Sequence, residues 1–278
     1  MHTHPDLPDT LVHFTGRPRG RGERRDFPPS TPEQRLVSIL HSGTLRGAQT
    51  FGTDAPVICF SEVTEEARRT MLRDGTGRGP YKPWGLVLHR QQLIDAGARP
   101  VLYLSGRELS QTHQLPTRLR NRRVRYDPGQ SDWLHEREWR VCFETGEVPV
   151  LPIAPQLIAG VIVDTSGWTP PPRAVSPQEK GTKLGLAFQA VQHAMKENSD
   201  HPWSSTSVEA SDVDFAWPAH GLARWHWNGA ELVPDGRFDI PAQVGEVTMS
   251  YGGTLPGTIR LAVDPDAVRD QLRGEGRV

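Results

Sequence analysis

The sequence predicts an α+β fold in which short helices accompany a sheet, with a small β-rich part at the C-terminal end. Short apolar or alternating runs, bounded by polar or Gly/Pro-rich segments, indicate strands. Segments that begin with a capping residue and carry apolar side chains at helical spacing indicate helices. We therefore expect one large domain over residues 1–198 and a small β-rich appendage over residues 199–278.

The strand patterns place several polar side chains on defined faces. Leu11–Thr15 is a short strand whose alternation puts His13 and Thr15 on one face. Around Glu138, alternation between polar and aromatic or apolar residues predicts a half-buried strand. Four further strands are predicted at Pro56–Ser61, Trp84–His89, Pro100–Leu104 and Gly160–Asp164.

Three segments carry helix-start signals. Thr31 can cap a helix, Gln34 can complete a capping box with it, and Gly43 is a typical helix end. Thr64 can cap a second helix. A third begins near Ser176 and precedes the polar residues 198–212, which are predicted to be a linker or long loop.

Composition limits the class of protein. No apolar run approaches the length of a membrane span, and no signal segment opens the chain, so we expect a cytoplasmic protein without membrane association. Cys59 and Cys142 are interpreted as buried reduced thiols. They have no nearby histidine spacing, so no metal site is predicted.

Positive charge is concentrated in the N-terminal half. Residues 1–146 carry 22 Lys and Arg against 17 Asp and Glu, whereas the remainder carries 10 against 16. Arginines are dense in Arg17–Arg25 and Arg118–Arg125, which could bind the phosphates of a cofactor or a nucleic-acid backbone. Solvated loops without a ligand are the alternative interpretation.

Four short motifs occur in a recognisable order. They are the His-x-Thr strand at His13, the run Ile39-Leu40-His41-Ser42-Gly43-Thr44-Leu45, the strand end Phe60-Ser61-Glu62, and Trp133-Leu134-His135-Glu136-Arg137-Glu138-Trp139-Arg140. This series resembles bacterial abortive-infection proteins of the AbiGi type and, more distantly, the DarT-type DNA ADP-ribosyltransferases. The resemblance covers residues 11–165. It implies an ADP-ribosyltransferase-like split mixed sheet and a role in phage defence or a toxin–antitoxin system.

The resemblance also implies a substrate and a set of site residues. NAD would be the substrate, with His13 and Thr15 contacting it and with the Glu138 carboxylate and His13 as the catalytic residues. Cleavage of the nicotinamide–ribose bond develops an oxocarbenium-like charge, which a carboxylate stabilises. Arg140 is expected to contact the cofactor and could keep Glu138 ionised, and Tyr81 is the loop aromatic best suited to stack on the ligand.

Each assignment has a plainer alternative. Glu138 and Arg140 could form a salt-bridged strand edge without function, and His13 could be a satisfied buried histidine. The whole chain could be a non-catalytic nucleotide- or nucleic-acid-binding module that kept the fold.

The C-terminal part carries a hairpin signal and a concentration of tryptophan. Asn228-Gly229 between two strand-like runs predicts a β-hairpin. Five of the eight tryptophans follow residue 146, at positions 168, 203, 217, 225 and 227. They could anchor a protein partner or form the core of this part.

Overall fold

The computed structural model of the chain describes residues 7–17, 30–50, 52–75, 79–153, 155–197, 203–209, 213–214, 221–238, 245–251 and 257–263. The chain divides into two compact units, of which the first comprises Met1–Pro170 with Trp217–Asp239. The second comprises Pro171–Ala216 with Ile240–Val278. These units interleave along the sequence, so their boundaries differ from the predicted division at residue 198.

The elements of the described ranges are numbered in chain order. The strands are β1 (Thr10–Gly16), β2 (Thr44–Arg46), β3 (Val57–Ser61), β4 (Lys82–His89), β5 (Arg99–Pro100), β6 (Leu102–Leu104), β7 (Arg123–Arg125), β8 (Glu138–Cys142), β9 (Val150–Pro152), β10 (Ile158–Val163), β11 (Arg173–Ala174), β12 (Trp203–Glu209), β13 (Val213–Asp214), β14 (Ala223–Trp227), β15 (Leu232–Arg237), β16 (Gly245–Tyr251) and β17 (Gly257–Val263). The α-helices are α1 (Pro32–Ser42), α2 (Glu65–Arg73), α3 (Arg90–Asp95), α4 (Gly106–Ser110), α5 (Thr117–Arg120) and α6 (Pro177–Glu197). Two single turns of 3-10 helix cover Leu134–Glu136 and Pro155–Leu157.

An eight-stranded sheet organises the first unit, in the order β15-β14-β10-β4-β1-β3-β8-β5. Strands β10 and β14 are parallel, and the other neighbours in this sheet are antiparallel. A large mixed sheet with short helices around it confirms the predicted α+β class. The strands β1, β3 and β8 are adjacent, so the polar residues that the sequence placed on them come close together.

The predicted hairpin forms, but it belongs to the main sheet. Strands β14 and β15 pair through a four-residue loop, Asn228–Glu231, in which Gly229 has a φ of 97°. Asn228 does not have the positive φ of a two-residue Asn-Gly turn, and its side chain instead accepts from the backbone N–H groups of Ala230 and Glu231. Trp225 lies opposite Ile162 of β10 in parallel register. The sequence did not predict that β14 pairs with β10, because about sixty residues of chain separate these two strands.

One face of the central strands buries the core. Val12 and Phe14 of β1 pack with Met71 of α2 and with Tyr81 in a buried cluster. Trp225 packs against the same cluster, as does Trp227, and Trp168 makes an edge contact with Trp84 at 5.2 Å. For these three tryptophans the structure favours the core interpretation; the side chains of Trp203 and Trp217 lie outside the described residues.

The helix-start signals are confirmed. Thr31 and Gln34 form a reciprocal capping box on α1, and Gly43 ends that helix with a φ of 61°. Thr64 caps α2. No helix in the described part of the chain is both long enough and apolar enough to cross a membrane.

Two local expectations were wrong. The predicted strand Pro100–Leu104 is split at Val101 into β5 and β6, which belong to different sheets. Val101 is buried and donates its backbone N–H to the Glu138 carbonyl, so the chain turns there from one sheet to the other. The expected linker at 198–212 contains strand β12.

The second unit has its own sheet. Strands β12, β16 and β17 form three antiparallel strands in the order β12-β16-β17, and α6 contacts the first two. Strands β11 and β13 form a separate pair.

Candidate functional site

A cleft of about 170 Å³ lies where β1, β3 and the start of β8 meet. Most of its polar lining comes from six residues: His13, Arg17, Arg46, Tyr81, Glu136 and Glu138. Three of them, His13, Tyr81 and Glu138, are site residues that the sequence predicted. Adjacent antiparallel strands bring them together although long stretches of chain separate them.

Glu138 is a buried, ionised carboxylate. Its residue is 4 % exposed, and its two oxygens accept hydrogen bonds of 3.0 and 3.2 Å from the Nε and Nη2 of Arg140. Burial by itself raises the pKa of Glu138, but the charge and hydrogen bonds of Arg140 hold it below its ordinary value. Glu138 therefore stays negatively charged at neutral pH without access to bulk water.

Arg140 acts on the site through Glu138. It is itself buried, and its Nη1 donates to the backbone carbonyl of Asn121 at 2.7 Å. Its side chain lies two residues along β8 from Glu138, on the same face, as strand alternation predicts. Arg140 does not line the cleft, so the geometry makes it a positioning residue for Glu138 rather than a ligand contact.

The Cys59 thiol is the third group at this carboxylate. Burial, followed by the negative charge of Glu138, raises the pKa of Cys59, so the sulfur remains a neutral thiol. Cys59 lies opposite Arg140 in the β3–β8 pairing and lines the cleft. Both cysteines are free, as predicted, but both are half-buried rather than buried.

His13 has a defined tautomer. Its Nδ1 lies 2.9 Å from the Cys59 carbonyl, which can only accept, so Nδ1 carries the hydrogen. Burial lowers the pKa of His13, opposed by this hydrogen bond and assisted by the nearby charge of Arg17. The imidazole is therefore neutral, and its Nε2 is a hydrogen-bond acceptor.

Glu136 is a second buried carboxylate in the cleft. It is 2 % exposed and accepts from Arg17 Nη2 at 3.0 and 2.8 Å and from the Tyr81 hydroxyl at 2.7 Å. Glu136 does not extend the strand that carries Glu138. Instead it ends a 3-10 turn, and Arg137 has a φ of 42° between the two glutamates. A non-glycine residue in this left-handed conformation is strained, which is typical of functional sites.

Thr15 and Tyr81 both make structural contacts within the protein. Thr15 is buried, and its hydroxyl lies 2.8 Å from the Pro32 carbonyl and 3.1 Å from that of Trp84. It does not line the cleft with His13, and the β1–β4 pairing shifts register beside it, where β4 carries one extra residue between the partners of Phe14 and Gly16. The Tyr81 ring packs on Phe14 at 5.1 Å, so only its hydroxyl edge is directed to the site.

Arg46 and Thr50 were not identified from the sequence. Arg46 is exposed at the end of β2 and lines the cleft, and its side chain has no hydrogen bond or ion pair with any described residue. The Thr50 hydroxyl also lines the cleft and has no hydrogen-bond partner in the described part of the chain. The Arg46 signal is only a basic residue after a short apolar run, which is common in surface strands.

The arginines of Arg118–Arg125, before β8, form ion pairs and hydrogen bonds with other residues of the chain. Arg118 pairs with Glu144 and Glu147, and Arg120 pairs with Asp54 at 3.0 Å. Arg122, Arg123 and Arg125 donate to Pro100, Thr112 and Asp127, respectively. In the other segment only Arg17 is described, and its charge is directed to Glu136; the remaining arginines of Arg17–Arg25 lie outside the described residues.

Comparison of the chain with protein-family models, curated proteins and solved structures gave no match. Within the described ranges, no group of three or more His, Cys, Asp or Glu side chains is arranged to hold a metal ion. The chemistry of the site therefore has to be inferred from its own geometry.

Proposed function

We propose that the chain is an ADP-ribosyltransferase-like enzyme that cleaves NAD and transfers ADP-ribose to a macromolecular acceptor, nucleic acid or protein. One observation carries the proposal: Glu138 is an ionised carboxylate, 4 % exposed, at the wall of a cleft that it shares with a neutral histidine.

The buried charge suits the reaction because positive charge develops on the ribose as nicotinamide leaves. A carboxylate that is already ionised and desolvated stabilises that charge without reorganisation. Each oxygen of Glu138 has a second lone pair beyond the one that Arg140 uses, so a ribose hydroxyl can still donate to it.

The other groups of the cleft match the rest of the substrate. The Nε2 of His13 can accept from a ribose hydroxyl or the carboxamide of nicotinamide. Arg46, with no acidic partner among the described residues, lies where it can bind the pyrophosphate. A volume of about 170 Å³ takes only the reacting end of a dinucleotide, so the remainder would extend over the rim.

The resemblance of the His13 and Trp133–Arg140 motifs to AbiGi-type and DarT-type proteins supports the same assignment. It also supports a cytoplasmic role in phage defence or a toxin–antitoxin system. The arginines of Arg118–Arg125 have partners within the chain, so nothing in the described structure favours nucleic acid over protein as the acceptor.

Nicotinamide release by the purified chain tests the proposal, with DNA, RNA or cell lysate added as acceptor. Glu138→Gln is expected to slow release by about 100-fold or more, since it removes the charge that stabilises the transition state. Glu65→Gln, on α2 and outside the cleft, is the matched control and should retain full activity.

Undiminished release in Glu138→Gln, with intact folding by circular dichroism, would remove Glu138 from the mechanism. NAD binding without release under any condition would instead support the non-catalytic nucleotide-binding module.

A further inference from the structure

A second and larger cavity lies behind β8, separate from the cleft of Glu138. Its volume is about 510 Å³, within the range of pockets that bind small organic molecules. The walls come from the end of α3, strand β5, helix α5, the second half of β8 and strand β9. No residue lines both cavities.

The wall of this cavity is strongly basic. Four arginines, Arg99, Arg118, Arg122 and Arg140, line it against a single acidic residue, Glu147. Arg118 and Arg140 are neutralised by glutamates. Arg99 and Arg122 have no carboxylate partner among the described residues.

Both of these arginines are held in place by backbone carbonyls alone. Arg99 donates from Nη1 to the carbonyls of Ile94 and Ala98, each at 2.7 Å. Arg122 donates from Nε and Nη2 to the Pro100 carbonyl at 3.0 and 2.7 Å. A guanidinium has five N–H donors, so each side chain retains donors that no described residue satisfies.

The two charges also repel each other. Burial lowers the pKa of Arg122, and the positive charge of Arg99 lowers it further. Two guanidinium groups that line the same cavity and keep free donors are an arrangement that a bound dianion stabilises.

The remaining wall is apolar. Leu119, Val141, Phe143, Val150 and Leu151 contribute to it. An occupant that satisfies the whole cavity therefore combines a doubly charged head with an apolar or aromatic body.

We infer that this cavity is a binding site for a small organic phosphate, with the phosphate on Arg99 and Arg122 and the organic body against Leu119 and Leu151. A phosphate carries close to two negative charges at neutral pH and has three acceptor oxygens, so it matches two guanidinium groups better than a carboxylate does. The site is independent of the proposed NAD chemistry.

Calorimetric titration of the full chain with phenyl phosphate, and with inorganic phosphate for comparison, tests the site. Phenyl phosphate should bind more tightly, because only it contacts the apolar wall. Arg99→Gln and Arg122→Gln should each weaken phenyl phosphate binding about tenfold or more, the usual effect of losing a charge-assisted hydrogen bond.

Arg120→Gln is the matched control, since it removes the same charge from the same segment but does not line the cavity. Its affinity for phenyl phosphate should equal that of the unaltered chain. Equal weakening in all three variants would show a non-specific charge effect and overturn the proposal, as would the absence of any binding.

The two free thiols locate the ligand in the unaltered chain, which removes any dependence on how the variants fold. Cys142 lines the arginine cavity and Cys59 lines the cleft of Glu138. Phenyl phosphate should slow alkylation of Cys142, followed by mass spectrometry over an extended time course at alkaline pH, because burial raises the pKa of Cys142 to about 11 and the pKa of Cys59 is raised further. Protection of Cys59 alone, or of neither thiol, would refute the assignment.

Discussion

Arg140→Met should destabilise the first unit strongly, because it leaves the buried Glu138 carboxylate without its ion-pair partner. The Glu138 side chain is 4 % exposed and that of Arg140 is 6 % exposed. Removal of one partner from a buried pair typically costs about 3–5 kcal/mol. The loss also leaves the Asn121 carbonyl without the 2.7 Å hydrogen bond that it accepts from Arg140.

Urea unfolding followed by tryptophan fluorescence measures this free energy. With a slope of about 3 kcal/mol per molar urea, the midpoint should fall by roughly 1–2 M. The double variant Arg140→Met/Glu138→Gln also removes the unpaired charge of Glu138. It should recover about 2 kcal/mol or more of the free energy of unfolding that Arg140→Met loses.

Lowering the pH should stabilise the Arg140→Met variant, as the additional Glu138→Gln substitution does. Without Arg140, burial raises the pKa of Glu138 above its unfolded value of about 4.3, so the cost is present at neutral pH and shrinks as the carboxylate takes a proton. Arg118→Met is the control: its side chain is 58 % exposed and pairs with Glu144 and Glu147, so stability should hardly change. A cost below about 1 kcal/mol for Arg140→Met, or a double variant no more stable than the single one, would refute a desolvated pair.

Three further substitutions test the scaffold of the cleft. Gly85→Ala should cost about 1–3 kcal/mol in urea unfolding, because its Cβ would lie 2.7 Å from the His13 carbonyl; an unchanged midpoint would contradict the close approach of β1 and β4. Burial lowers the pKa of His13, so stability should fall as the pH drops below about 6.5, and His13→Gln should reduce that fall. An identical pH profile in the two proteins would show that the imidazole is not buried and neutral. Thr31→Ala removes the cap of α1 and should cost about 1 kcal/mol in thermal or urea unfolding, whereas an effect near zero would mean that water replaces the cap.

Local signals accounted for the elements that position the site. The capping box at Thr31 and the short strands at His13 and Glu138 each depend on a few consecutive residues, and each is present in the structure. The strand of Glu138 is buried on both faces, however, and not half-buried as its alternation predicted. The pairing of Glu138 with Arg140 was also foreseeable, since residues two apart on a strand share a face.

Contacts between distant residues could not be foreseen in the same way. Arg17 and Glu136 are 119 positions apart, and no local periodicity relates them. Thr15 was expected beside His13 in the cleft, but its hydroxyl lies against the carbonyls of Pro32 and Trp84. The β1–β4 pairing shifts register at this point, and a one-residue irregularity of this kind leaves no mark on the alternation of the sequence.

The sequence by itself determined the α+β class, the main helix ends and the strand that carries Glu138, because backbone propensity and side-chain alternation act over a few residues. Only the tertiary structure decided that β14 pairs with β10 and that Glu136 accepts hydrogen bonds from Arg17 and Tyr81. It also decided that Arg99 and Arg122 line one cavity. Those arrangements depend on which strands become neighbours, and strand order follows from the burial of apolar faces across the whole unit.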